Sequence, residues 1–183
     1  MVERTLHVYA YVEAPFDDVS HLLASDAASV LQQATDESAE QASTLSRKLR
    51  VAVGGFDVGS DVRIELGEFE PRAVTRSVVP LRWHAEKGRL LFPQLTAELE
   101  VAAIVFDPPL TQLTVSGTYE PPLGLLGAGA DKLLLHRLAE ATLHRFTHEV
   151  ADELRRRLDR DEATDRDEGT DRDEATDGDA APE

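Results

Sequence analysis

Residues 131–158 read DKLLLHRLAEATLHRFTHEVADELRRRL, and this stretch decides the fold of the chain. When each residue turns a helix by about 100°, apolar side chains gather on one arc and charged ones gather largely opposite. The apolar arc comprises Leu135, Ala139, Leu143, Phe146, Val150 and Leu154. The pattern predicts a single amphipathic helix, roughly 40 Å long at about 1.5 Å per residue, that lies on a sheet.

The sequence before this helix alternates between apolar and polar residues, which is typical of half-buried strands. Pro80 interrupts one of these stretches and indicates an edge or a bulge there. Short turns separate consecutive stretches, and such turns can join only antiparallel strands. The sequence therefore predicts an antiparallel meander of six or seven strands, at residues 5–12, 45–53, 62–66, 74–84, 91–106 and 113–119.

Two short helices are predicted after the first strand. The first, Pro15–Ala24, begins at a proline and repeats its apolar residues at three- and four-residue spacing. Asp26 can cap the second helix, which is predicted to run to about Ala34. Residues 35–43 carry no apolar period, so a loop or a frayed helix end is expected there.

The composition changes sharply after Leu158, where three copies of a DRDE(A/G)T unit follow one another. This segment contains no large apolar side chain, and its like charges repel, which is typical of disorder. We therefore predict one folded domain over residues 1–158 and a disordered acidic tail over residues 159–183.

Charge and composition exclude several functional classes. The net charge is −16, of which residues 159–183 carry −9 and the body carries −7. Neither part has the clustered Lys and Arg residues of a nucleic-acid-binding surface. The absence of cysteine excludes thiolate catalysis and disulfides. No signal peptide and no membrane span is predicted, so a soluble cytoplasmic protein is expected; the oligomeric state stays open.

Two stretches carry a resemblance to a known family. Residues 9–25, YAYVEAPFDDVSHLLAS, and the run from Leu113 through Gly117, Tyr119 and Pro121 to Asp131 resemble the SRPBCC superfamily of START-like proteins, polyketide cyclases and plant pollen allergens. The resemblance implies an α+β helix-grip fold, in which a curved antiparallel sheet wraps the long C-terminal helix. It also implies a cavity between sheet and helix, usually for an apolar ligand, but no catalytic residue of the family can be matched here.

The candidate ligand contacts lie on the apolar faces of the strands and of the long helix. They are Val79, Trp83, Leu99, Val101, Tyr119, Leu135, Leu143 and Phe146. Two of the polar side chains near this cavity could act in catalysis as a general acid or base. These are Tyr119, at the end of the last strand, and His136, at the border of the helix's apolar arc.

No metal and no cofactor is predicted. His136, Glu140, His144 and His148 are spaced four residues apart, but the last three point away from the apolar arc and are expected to meet water. The glycine run at residues 124–129 lacks the spacing of a dinucleotide-binding turn.

Three functions remain open at this point. The first is a non-catalytic carrier for an apolar small molecule, such as a lipid or a polyketide-like compound. The second is a cyclase- or aromatase-like enzyme that uses the same cavity. The third is a protein-interaction module whose core is filled.

Overall fold

The computed structural model describes residues 4–53, 62–85, 94–120 and 132–176. Six strands and two helices lie within these residues, and they confirm an α+β protein with an antiparallel sheet and a long C-terminal helix. In chain order they are β1 (Arg4–Val12), α1 (Phe16–Val53), β2 (Val62–Leu66), β3 (Glu70–Ala73), β4 (Arg76–Ala85), β5 (Gln94–Phe106), β6 (Pro109–Glu120) and α2 (Lys132–Thr176).

The sheet is antiparallel throughout and has the order β1-β6-β5-β4-β2. The first and last strands of the chain are therefore neighbours, and the meander β4-β5-β6 lies in the middle. β2 pairs with the second half of β4, and β3 pairs with the beginning of β4. Both short strands therefore lie on the same side of β4, one after the other. β1 and the β2–β3 pair are the two edges of this open sheet.

Both helices pack on the same face of the sheet, which we call the inner face. Along each strand, alternate side chains point to this face, as the period of two requires. They join the apolar residues of α1 and α2 in one buried cluster. The cluster includes Val12, Leu81, Leu99, Val101, Leu113 and Val115 from the strands and Leu23, Leu31, Phe146, Val150 and Leu154 from the helices.

The first helix corrects two predictions. Residues 35–43, expected to form a loop or a frayed helix end, and residues 45–53, expected to form a strand, both continue α1 as far as Val53. Neither glycine nor proline occurs between Phe16 and Val53, and the first helix-breaking residues are Gly54 and Gly55. The two predicted short helices are joined in α1, but at Asp26 the backbone leaves the helical conformation, with φ −144° and ψ 34°.

Strand β3 is absent from the prediction and replaces the incorrect strand at residues 45–53 in the count of six. It is four residues long, contains Pro71 and is largely exposed. Pro80, where an edge or a bulge was expected, lies between the segment of β4 that pairs with β2 and the segment that pairs with β3. There the carbonyl oxygen of Pro80 accepts a hydrogen bond of 2.7 Å from the Gly67 amide. A hydrogen-bonded pair in an antiparallel ladder exchanges two bonds, so the missing N–H of Pro80 leaves the second bond of this pair unformed, at the point where the pairing with β2 ends.

The C-terminal helix does not end at Leu158 but continues to Thr176. The hexapeptide repeats that were expected to be disordered are therefore helical over residues 159–176. Each repeat places a glutamate four residues before an arginine of the next, as at Glu162 and Arg166, and this orientation favours helix. The division of the chain into a domain and a tail at Leu158 stays a prediction. Over the described residues, no helix is apolar enough over sufficient length to cross a membrane.

An ionic cluster connects α2 to the kink of α1. The Arg157 guanidinium donates to Glu153 at 2.6 Å and to the Ser29 hydroxyl at 2.7 Å, and it also donates to the Asp26 carboxylate. The Glu153 side chain is only 2% exposed and also accepts a bond of 2.9 Å from Arg156. Burial alone would lower the pKa of Arg157, but the hydrogen bonds to Glu153 and Asp26 outweigh it and raise this pKa. The cluster fixes α1 to α2 at the residue where α1 bends.

We expect the Arg157→Met variant to be less stable than the wild type by about 1–3 kcal/mol, because it leaves the buried Glu153 short of a partner. Urea denaturation of both proteins measures the difference. Arg160→Met is the matched control, since Arg160 is 69% exposed and lies 3.8 Å from the same carboxylate. We expect that control to change the unfolding free energy by less than about 0.5 kcal/mol. Equal losses in the two variants would contradict the role assigned to Arg157.

Gly117 on β6 is required by a close approach to β5. A Cβ atom at this position would lie 2.4 Å from the Ala97 Cβ and 2.4 Å from the backbone oxygen of Thr96. Since backbone atoms are among the nearest neighbours, no side-chain rotation can relieve the contact.

We expect Gly117→Ala to lower the free energy of unfolding by about 1–3 kcal/mol, as overpacking of a close-packed contact does. Ser116→Ala, at the adjacent position on the opposite face, is the control, with an expected change within about 0.5 kcal/mol. Thermal denaturation checks both, and a Gly117→Ala protein as stable as the wild type would show that β5 and β6 can separate without cost.

Candidate functional site

Five of the predicted ligand contacts have described side chains, and all five are buried in the core. Val79, Leu99, Val101 and Phe146 are 0% exposed, and Leu143 is 2% exposed. A side chain that lines a void exposes area to a water-sized sphere, so these residues form packed core on the inner face. Their contact with a ligand stays a prediction.

The other predicted contacts fall on residues whose backbone alone is described. Trp83 lies on β4, Tyr119 on β6, and Leu135 with His136 in the first turns of α2. The register pairs Trp83 with Leu95 and Leu95 with Tyr119, so these three positions form one row across the sheet. At roughly 4.8 Å per strand, the first and third backbones lie about 10 Å apart. We call this the Trp83–Tyr119 row.

The direction of α2 relates its first turns to this row. At the middle of α2, the Arg155 guanidinium donates to the Tyr11 carbonyl oxygen at the end of β1. β1 runs back from Tyr11 to Arg4, and Arg4 pairs with Tyr119. Because α2 packs along β1, its N-terminal half extends from the Tyr11 end toward the Trp83–Tyr119 row.

A second feature lies on the outer face, which is the face of the sheet that the helices leave open. An open groove of about 600 Å³ crosses β1, β6, β5, β4 and β2. Its volume is within the range of about 300–1,000 Å³ that is usual for small-molecule sites. The side chains that point into this outer groove are Thr5, His7, Glu65, Pro80, Arg82, Thr96, Glu98, Ser116 and Thr118.

The groove side chains form two rows across the strands. In the first row, Thr5 pairs with Thr118 and Thr96 pairs with both Thr118 and Arg82, which in turn pairs with Glu65. The second row runs from His7 through Ser116 and Glu98 to Pro80. Apart from Pro80, no sequence pattern singles out these residues, because the outward-pointing side chains of a single strand are typical of plain solvent-facing surface. Only the register between strands shows that they lie together.

The histidine-bearing side of α2 lies in solvent where it is described. Glu140 and His144 are exposed and His148 is half-buried. The rings of His144 and His148 lie 4.3 Å apart between centroids, with an angle of 33° between their planes. Within the described ranges, no three potential ligands come together around a metal position. The glycine run at residues 124–129 lies outside the described residues.

Comparison with known proteins gives weak structural similarity. No family model matches the chain, and no curated protein matches it. A conserved protein from Geobacillus kaustophilus is 11% identical, with TM-score 0.47, and the match covers 82% of this chain and 95% of that one. The Zhui aromatase/cyclase from a Streptomyces species is 17% identical, with TM-score 0.37 and coverage of 86% and 96%. DynU16, from the dynemicin biosynthetic locus, is 18% identical, with TM-score 0.39 and coverage of 82% and 46%. All three TM-scores lie below 0.5, and no ligand or activity is carried over from these proteins to this chain.

The histidine pair gives a pH dependence of stability. Burial lowers the pKa of His148 below 6.5, and the positive charge of protonated His144 lowers it further, against the opposing effect of Asp152. Since the unfolded chain protonates His148 more readily than the folded one does, we expect its contribution to stability to be complete above about pH 6.5. That contribution is lost as the pH falls through the lowered pKa that His148 has in the folded protein.

We therefore expect His144→Gln to raise the pKa of His148 toward its ordinary value, since a neighbouring positive charge is removed. An NMR titration of the His148 ring proton measures this change directly. His21→Gln on α1 is the control and should leave the titration unchanged. If the titration curve of His148 is the same with and without His144, the charge of His144 does not contribute to lowering the pKa of His148.

Proposed function

We propose that this chain is a helix-grip protein of the SRPBCC type that binds an apolar small molecule at the inner face of its sheet. The order of its elements supports the fold: a first strand, a helical segment, an antiparallel meander and a long helix packed across the inner face. The ligand class is a lipid or a polyketide-like compound.

The observation that carries the proposal is the Trp83–Tyr119 row. It follows directly after the row of Leu81, Ala97 and Gly117, on the same inner parity of the sheet. The inner face up to this point is apolar, so a ligand there would gain about 25 cal/mol for each Å² of apolar surface removed from water. Tyr119 would add a hydroxyl that can orient one polar group of the ligand.

The long helix supplies the other wall in this proposal. Because its N-terminal half extends toward the Trp83–Tyr119 row, Leu135 is the apolar contact expected from the helix side. Leu143 and Phe146 then form the packed base beneath the ligand, together with Val79, Leu99 and Val101. The core beyond them fixes the position of the wall.

The test uses the fact that Trp83 is the only tryptophan of the chain. Native mass spectrometry of the full chain, purified from its host, should show a population heavier than the bare polypeptide that organic extraction removes. Adding the extracted compound back should shift the Trp83 emission toward shorter wavelength, because the indole then leaves water. A chain without added mass, whose emission does not respond to fatty acids or aromatic polyketides, would contradict the proposal.

A matched pair of tyrosine variants locates the site. We expect Tyr119→Phe to weaken binding of the extracted compound by about fivefold, the equivalent of one hydrogen bond. Tyr11→Phe, on the outer parity and 47% exposed, is the control and should leave the affinity unchanged.

The protein purified from its host also distinguishes the two alternative functions, an enzyme and a protein-interaction module. The cyclase- or aromatase-like alternative requires that the bound compound is converted and that His136→Ala or Tyr119→Phe slows the conversion. The interaction-module alternative requires a filled core without added mass. The complete burial of Val79, Leu99, Val101 and Phe146 is the observation in its favour.

A further inference from the structure

The outer groove has no role in the function proposed above, although its volume of about 600 Å³ is within the range of small-molecule sites. It crosses five strands, which at about 4.8 Å per strand makes it roughly 19 Å long and two side-chain rows wide. These dimensions suit a short extended chain better than a compact molecule.

The charged groups of the groove have unused hydrogen-bonding capacity. Within the described ranges, the side chains of Glu65, Arg82 and Glu98 form neither ion pairs nor hydrogen bonds, although Arg82 lies directly opposite Glu65 in the register. On the same face just outside the groove, the corresponding groups are paired, as Arg76 with Glu100 shows. Among the described residues, the groove therefore offers one unpaired guanidinium and two unpaired carboxylates to a ligand.

The remaining polar groups are hydroxyls. Thr5, Thr96, Thr118 and Ser116 each present an oxygen that both donates and accepts a hydrogen bond. More of the exposed lining is apolar than polar, so the ligand needs apolar surface as well, but a wholly apolar ligand would remove the hydroxyls from water without replacing their hydrogen bonds. A polyanion would meet two carboxylates against one guanidinium on a chain with net charge −16. The ligand that fits is a neutral chain rich in hydroxyl groups.

An extended peptide fits less well than a saccharide. Peptides usually bind sheets at an edge, where strand N–H and C=O groups are free. This groove lies across the middle of the sheet, where the backbone groups of β6, β5 and β4 are already paired on both sides. Recognition there depends on side chains, and each hydroxyl of a sugar can donate to a carboxylate while it accepts from Arg82 or a threonine. Pro80 provides an apolar surface for the C–H face of a sugar ring.

We propose that the outer groove binds a neutral oligosaccharide, with Arg82, Glu98 and the Thr5–Thr118–Thr96 row as its main contacts. The site is independent of the inner face, so its ligand should leave the emission of Trp83 unchanged. Failure of either proposal therefore leaves the other standing.

The test is an NMR titration of the full chain with cellotetraose and maltotetraose, and with tetra-alanine as the peptide probe. We expect millimolar or tighter binding of at least one saccharide, with amide shifts centred on the groove residues of β5 and β6. Absence of shifts up to 20 mM (about the limit of weak specific binding) for both saccharides would overturn the proposal, as would equal shifts with tetra-alanine.

Two threonines on β6 provide a matched comparison. Thr118 points into the groove, whereas Thr114 points to the same face but lies outside it. We expect Thr118→Val to weaken saccharide binding about fivefold and Thr114→Val to leave it unchanged. Arg82→Gln, at an exposed position, should weaken binding by a similar factor. Equal effects at Thr114 and Thr118 would show that the groove is not the site.

Discussion

The contact between the apolar stripe of α2 and the inner face of the sheet is the interaction on which the rest of the structure depends. Phe146, Val150 and Leu154 are 0% exposed, and each buried side chain of this size contributes about 1.5–3 kcal/mol. The helix packs mainly on β1 and β6, and it also contacts α1, which packs on β2, β5 and β6. The contact of α2 with the sheet and with α1 therefore holds the two helices together over the inner face.

Polar groups determine how the helices are oriented on that apolar contact. Apolar packing alone is not directional, so it permits α2 to slide along its own axis. Arg155 at the Tyr11 carbonyl and Arg157 at the kink of α1 remove this freedom, since each bond exists at only one position of the helix. Glu153 is buried because it completes this arrangement, and it carries its charge inside the contact with three arginines around it.

The parts of the fold that could be predicted from the sequence are those where the apolar residues follow one periodicity, either that of a helix or that of a strand. The stripe of α2 and the alternation of β1 are long enough to exclude the other periodicity, and both were confirmed. The error at residues 45–53 arose because Leu45 and Leu49 fit a strand parity and also an i,i+4 helix stripe, and no helix breaker precedes Gly54. β3 has no apolar alternation at all and exists because β4 offers it an unpaired edge. The site was harder to predict, because inward parity does not distinguish a core residue such as Leu99 from a ligand contact.

The two faces of the sheet follow from the same alternation but differ in what they can bind. On the inner face, neighbouring strands bring apolar side chains together, and the helices already cover most of that surface. On the outer face, the same register brings together threonines, carboxylates and a guanidinium that none of the described helices and strands covers. A single-strand pattern identifies the first surface, because burial requires apolar residues at every second position. The second surface is formed only when five strands are in register, because none of its strands contributes more than two of the side chains that form it.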